Sequence, residues 1–188
     1  FFTDYNEVVY HKDVSVHILN GTGSVVVSKN FGTTSEDIGK FVGANTNGNI
    51  VVFGETEGGS FGSKDLFAME LDTNLNAFNT ISFGTVFNDY FADAILKTGS
   101  KSLVSFASSS TFSTRDAFLV EVDLSSSSLG LNPRGLFYGN QEDALGKVSI
   151  SGREVSGYSL ISSGKSYGNT STEDIQIFKL DEFYDASC

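Results

Sequence analysis

The chain has 188 residues with 39% hydrophobic content, 17 Phe and 7 Tyr, enough to bury a sizeable core and to exclude a disordered segment. Its net charge of −11 sets it against nucleic acid and anionic lipid as partners. No apolar run reaches the roughly 18 residues of a membrane span.

The order of elements is read from three landmarks that recur at intervals of about 52 residues. The first is an aromatic-Gly pair: Phe31-Gly32, Phe83-Gly84 and Tyr138-Gly139. The second is an Asp shortly after it: Asp37, Asp89 and Asp143. The third is an Asp opening an apolar stretch that Asp or Asn closes seven residues on: Asp13/Asn20, Asp65/Asp72, Asp116/Asp123 and Asp174/Asp181.

Each full unit reads as four strands, A to D, joined by turns rich in Gly, Asn, Ser and Thr. The N-terminal stretch NEVVYHK-DVSVHILN-GTGSVVVSKNFG supplies B, C and D without A. Strand A of the next unit opens at Asp37 (DIGKFVGA), B is NIVVFGET, C opens at Asp65 (DLFAMELD) and D closes at Phe83-Gly84. The following unit repeats this from Asp89, with Pro133 before strand D, where a sheet edge tolerates it. The last unit, from Asp143, has room for A, B and C.

The expected fold is all-β and β-propeller-like: about three and a half four-stranded antiparallel repeats, some fourteen strands in one domain over 1–188. The divisions expected are a partial repeat 1–32, repeats 33–84 and 85–139, and a partial repeat 140–188. Strand C is apolar on both faces (Phe118 and Val120 alternate with Ala117 and Leu119), so it needs cover on both sides. Strand A carries small residues such as Gly39, Gly43, Ala92 and Ala94, suited to a crowded axis.

The string FGTTSEDIGKFVGANTNGNIVVFGETEGG resembles the bacterial-type SBBP β-propeller repeat. The matching positions are Gly32, Asp37, Gly48-Asn49, Ile50 to Val52 and Gly54-Glu55-Thr56. The later copies keep Gly84, Asp89 and Gly99, then Gly139, Asp143 and Gly152. The resemblance implies a propeller-like protein, secreted or at the cell surface, and it brings no catalytic residues.

Chemistry-bearing residues are few. The punctuating aspartates Asp13, Asp37, Asp65, Asp89, Asp116, Asp143 and Asp174 suit turn capping through backbone N–H groups. Calcium is the competing reading, since carboxylates and turn carbonyls suit a hard cation; no other cofactor is expected. Asn45-Thr46-Asn47-Gly48-Asn49 lacks the acidic ends of a calcium loop and reads as a hairpin turn. His11 and His17, six apart, read as surface residues before a metal pair. No Gly-x-Ser-x-Gly elbow occurs, and Gly58-Gly59-Ser60-Phe61-Gly62 lacks the Lys-Ser/Thr of a phosphate loop.

Asn20-Gly21-Thr22 and Asn169-Thr170-Ser171 are glycosylation sequons in predicted turns, so Asn20 and Asn169 are candidate acceptors. Cys188 has no internal partner. Phe1-Phe2-Thr3-Asp4 has no signal-peptide character, leaving a cytosolic protein or one with its signal removed.

The expectation drawn from these residues is a non-enzymatic extracellular or cell-surface structural or adhesive protein. It would self-associate head to tail into a filament through open terminal repeats. The alternatives are a glycan- or protein-binding propeller module, with aromatics such as Tyr90, Phe112 and Tyr167 as a platform, or a fragment of a larger closed propeller.

Overall fold

The computed structural model describes residues 11–97, 99–109, 115–125, 132–137, 143–150, 157–164 and 174–181. Its strands are β1 (Val14–Leu19), β2 (Val25–Phe31), β3 (Asp37–Ala44), β4 (Ile50–Thr56), β5 (Asp65–Leu71), β6 (Ala77–Phe83), β7 (Asp89–Leu96), β8 (Lys101–Ser109), β9 (Arg115–Asp123), β10 (Asn132–Phe137), β11 (Asp143–Ile150), β12 (Gly157–Gly164) and β13 (Asp174–Asp181). Among the described residues there is no helix.

The strands make four antiparallel sheets, each a simple meander: β1-β2, β3 to β6, β7 to β10, and β11 to β13. None of the sheets closes on itself. Strands A to D of the sequence coincide with β3 to β6 and again with β7 to β10. The expected first strand, NEVVYHK, lies almost wholly outside the described residues.

Register explains why the two aspartate landmarks keep their spacing. Asp37 lies opposite Thr56, which lies opposite Asp65. Asp89, Ser108 and Asp116 align in the same way, as do Asp143, Gly164 and Asp174. One end of each of these three sheets thus carries two Asp positions flanking a central-strand residue. A one-residue slip would turn every side chain of a strand to the other face, and these aligned ends mark the register.

The sheet β3–β6 is covered on both faces. One face carries Val51, Phe53, Leu66, Ala68 and Phe83 against Ala94, Val104, Phe106 and Val120 of the next sheet. The other carries Val52, Phe67, Met69 and Leu71 against Val14 and Val16 of β1. Strands β4 and β5 are accordingly buried along nearly their whole length. Each fully buried Phe or Leu contributes about 1.5–3 kcal/mol, so burial on two faces at once is the main stabilising term. Phenylalanine rings bridge the seam: Phe53 stacks on Phe91 at 6.2 Å, and Phe83 meets Phe106 edge-on at 6.5 Å. The opening strands of successive sheets adjoin, β3 beside β7 and β7 beside β11.

Candidate functional site

The polar side chains held inside this stack gather at the two ends of the sheets. At one end, the B–C connection wraps the Asp that follows it. Asp65 is fully buried, and its carboxylate accepts hydrogen bonds from Phe61 N (2.9 Å) and Gly62 N (2.9 Å). The Gly-rich stretch 58–62 therefore cradles a carboxylate of its own chain. Asp37 accepts from Thr33 N and Thr33 Oγ1 (2.9 Å), and Asp89 accepts from Thr85 N (2.7 Å) and Thr85 Oγ1 (3.0 Å). Each of these strand-opening aspartates organises the turn preceding it.

The same end ties one sheet to the next. Asp37 N donates to Lys12 O, and Asp89 N donates to Lys64 O, the same bond one repeat later. Asp65 and Asp89 converge over Gly84. A Cβ on Gly84 would lie 2.2 Å from Asp89 Oδ2 and 3.2 Å from Asp65 Oδ1. The aromatic-Gly landmark is thus the gap that lets two carboxylates enter one junction. Gly32 keeps the equivalent gap for Asp13, which is exposed. Burial, with the Asp65 charge adding to it, raises the Asp89 carboxyl above the ordinary range although Thr85 and Ser108 hydrogen-bond to it. Burial likewise raises Asp116. Asp143 and Asp174 open β11 and β13 in the same register.

Beside this end, Glu55 accepts from Phe91 N of the next sheet (3.0 Å) and faces Lys40 (3.5 Å) and Lys64 (3.8 Å). Tyr90 has Lys64 and Arg115 against its ring, at 5.7 and 4.6 Å from its centre. Its ring thus already meets two of the protein's own cations. Phe112, Tyr167, Asn169 and Cys188 lie outside the described residues.

At the other end, Glu70 is fully buried on β5, and no lysine or arginine among the described residues forms an ion pair with it. Asn45 Nδ2 (2.7 Å), Asn49 Nδ2 (2.9 Å) and Ser100 Oγ (3.2 Å) donate to its Oε1, and Asn79 Nδ2 (3.1 Å) donates to its Oε2. Burial alone raises a carboxyl, but these four donors together outweigh it and lower Glu70 below the ordinary value. Ser100 belongs to the next sheet's β7–β8 hairpin, so the cluster spans two units. Gly99 N, donating to Thr46 Oγ1 (2.9 Å), spans them again. In the next sheet the equivalent Glu121 meets Lys97 Nζ at 2.6 Å.

A five-residue turn recurs at this end. In Asn20–Ser24, Asn45–Asn49 and Asp72–Asn76 the first side chain's Oδ1 accepts the N–H groups two and four residues on. The first residue's backbone carbonyl accepts the N–H three residues on, where φ is positive at Gly23, Gly48 and Leu75. The closing Asn or Asp of the eight-residue frame is therefore the nucleus of the C–D turn. Leu75 pays left-handed strain of about 1 kcal/mol or more and is fully buried against the core in return.

Sequence reasoning passed over Glu70 and Glu121, and it read Asn45 as part of a hairpin turn without the link to Glu70. The signal was there: each Glu follows its strand-opening Asp by five positions. His17 Nε2 lies 2.8 Å from Ser15 Oγ on the exposed face of β1, a contact of alternate strand residues. No described carboxylate is hydrogen-bonded to that imidazole, and His11 is exposed. Among the described residues, no three of His, Cys, Asp and Glu gather as a metal site. No helix among them is long and apolar enough to cross a membrane.

No family model matches the chain, and no curated protein matches it. The functional reading therefore rests on the geometry above.

Proposed function

We propose that the chain is a non-enzymatic structural or adhesive module of propeller-type blades, working at the cell surface or outside the cell. One observation carries this reading. The buried carboxylates Asp37, Asp65, Asp89, Glu55, Glu70 and Glu121 each bond a turn, a neighbouring sheet or a lysine of their own chain. A catalytic carboxylate instead keeps its oxygens for substrate, whereas these are already engaged within the fold. The face-to-face order of the sheets and the adjoining of their opening strands agree with blades set around an axis, as does the SBBP-like punctuation.

Self-association is the activity such a module would use. A groove of about 290 Å³ runs between β1 and β3, lined by Val14, Val16, Phe41 and Val52 among others. Head-to-tail addition of a further sheet would cover that groove.

Negative-stain electron microscopy with sedimentation analysis of the 188-residue chain tests this. Linear assemblies that lengthen with concentration are expected. A monomer that stays soluble at high concentration would overturn the assembly. Hydrolytic or transferase activity that is lost on substitution of a junction carboxylate, with folding intact, would overturn the structural reading.

A further inference from the structure

The five-residue turn gives its first residue two separable chemical groups. The side-chain oxygen builds the turn; on an Asn, the Nδ2 nitrogen is left over. What becomes of that nitrogen differs from copy to copy. In Asn45–Asn49 the Asn45 Nδ2 donates to buried Glu70 at 2.7 Å and is committed. In Asp72–Asn76 the position holds a carboxylate with no nitrogen.

In Asn20–Ser24 the oxygen is engaged three times, by Thr22 N (3.0 Å), Thr22 Oγ1 (2.7 Å) and Ser24 N (3.0 Å). No described side chain or backbone carbonyl accepts from Nδ2. Asn20, Gly21, Thr22, Gly23 and Ser24 are all exposed. Nothing lies within 4 Å of a Cβ built on Gly21 or Gly23, so the space around the turn is open. This copy alone among the three has a Thr two residues after an Asn, completing a sequon.

We propose that Asn20 is an N-glycan attachment site, accepting an oligosaccharide from a polyprenyl-diphosphate-linked donor. The new bond joins Asn20 Nδ2 to the anomeric carbon of the first sugar. The bond broken joins that carbon to the diphosphate, which leaves with the electron pair, while Nδ2 gives up one proton. The turn uses Oδ1, which the product amide retains, so the finished glycan and the folded turn do not compete. The glycan then stands at the β1–β2 turn, at the tip of its sheet.

This site rests on the extracellular reading, and the experiment separates the two. The full chain is directed into the secretory pathway of eukaryotic cells by an added leader. Its glycans are then released enzymatically in heavy-oxygen water, which converts an occupied Asn to labelled Asp. Labelled Asp at position 20 is expected in most molecules, from the medium or recovered from the cells. Asn20→Asp removes one glycan from the intact mass and leaves the melting temperature unchanged, because Asp72 fills the same place in the same turn. Thr22→Ala removes the label, and Thr22→Ser retains it. Folded chain that has passed through the pathway without label at position 20 overturns the proposal. Because the chain is forced into the pathway, that result would leave its native location untouched; imaging of the native protein decides the location separately.

Discussion

Glu70 and Glu121 hold the same place in consecutive sheets, five residues after the Asp that opens their strand, and both are buried. Their neutralisation differs. Glu70 is ringed by three Asn and one Ser, whereas Glu121 meets a lysine, Lys97, at 2.6 Å. Asn45 and Lys97 are themselves equivalent. Each follows its sheet's first strand, and the backbone N–H of each donates to a carbonyl four residues on. One copy therefore solves a buried negative charge with amide dipoles, the other with a counter-charge. Lys97 and Glu121 lie in the same unit, while the neutral cluster reaches across a seam to Ser100. The position of the carboxylate is a property of the repeat, and in the Glu70 copy its partners also tie two units together.

The largest expected effect comes from breaking the ion pair on one side. Lys97→Met removes the cation that faces the buried Glu121 carboxylate and should cost about 3 kcal/mol, measured by chemical denaturation. Asn45→Ala comes next, at about 2 kcal/mol. It removes one donor to Glu70 and also the acceptor for Asn47 N and Asn49 N. A cost smaller than that of an exposed turn substitution such as Thr73→Ala would mean the cluster carries little of the fold.

That hierarchy was partly visible in the amino-acid string. The strands were legible because their punctuation is chemical: Asp65 and Asp89 must open strands to cap the turns behind them. Asp72 and Asn20 must close them, because the next turn folds around their side chains. Alternating apolar positions such as Phe67 and Met69 against Leu66 and Ala68 announced cover on both faces. The Glu70 cluster was legible only in part: strand pairing sets Asn79 opposite Glu70 and the β3–β4 turn of the same sheet supplies Asn45 and Asn49, but Ser100 arrives only by stacking of the next sheet. Ser100 in particular is thirty positions from Glu70, and nothing in its local sequence marks it. Around Tyr90 the string was equally silent, since an aromatic next to an Asp landmark says nothing of the Lys64 and Arg115 packed against its ring.

A smaller effect, in sign as well as size, separates Glu70 from Asp89. The Glu70 carboxyl is lowered below its ordinary value of about 4.5. Its stabilisation is complete above that pH and is lost as the pH falls through the folded value. The Asp89 carboxyl is raised above its ordinary value of about 3.8. Its burial penalty is therefore relieved as the pH falls through the folded value toward 3.8. Melting temperatures taken from neutral to acidic pH should show an acid-side gain that Asp89→Asn reduces to the part contributed by Asp116 and that Glu70→Gln leaves in place. The same Glu70→Gln substitution should flatten the steeper loss that follows at lower pH.

The claim that a buried carboxylate joins one unit to the next is tested most directly by a double-mutant cycle between Glu70→Gln and Ser100→Ala, read by denaturant unfolding. A coupling energy of about 1 kcal/mol is predicted. The matching cycle between Glu121→Gln and Ser100→Ala should show additivity within about 0.5 kcal/mol. Strict additivity in the first cycle would contradict the account, because Glu70 would then belong to its own sheet alone.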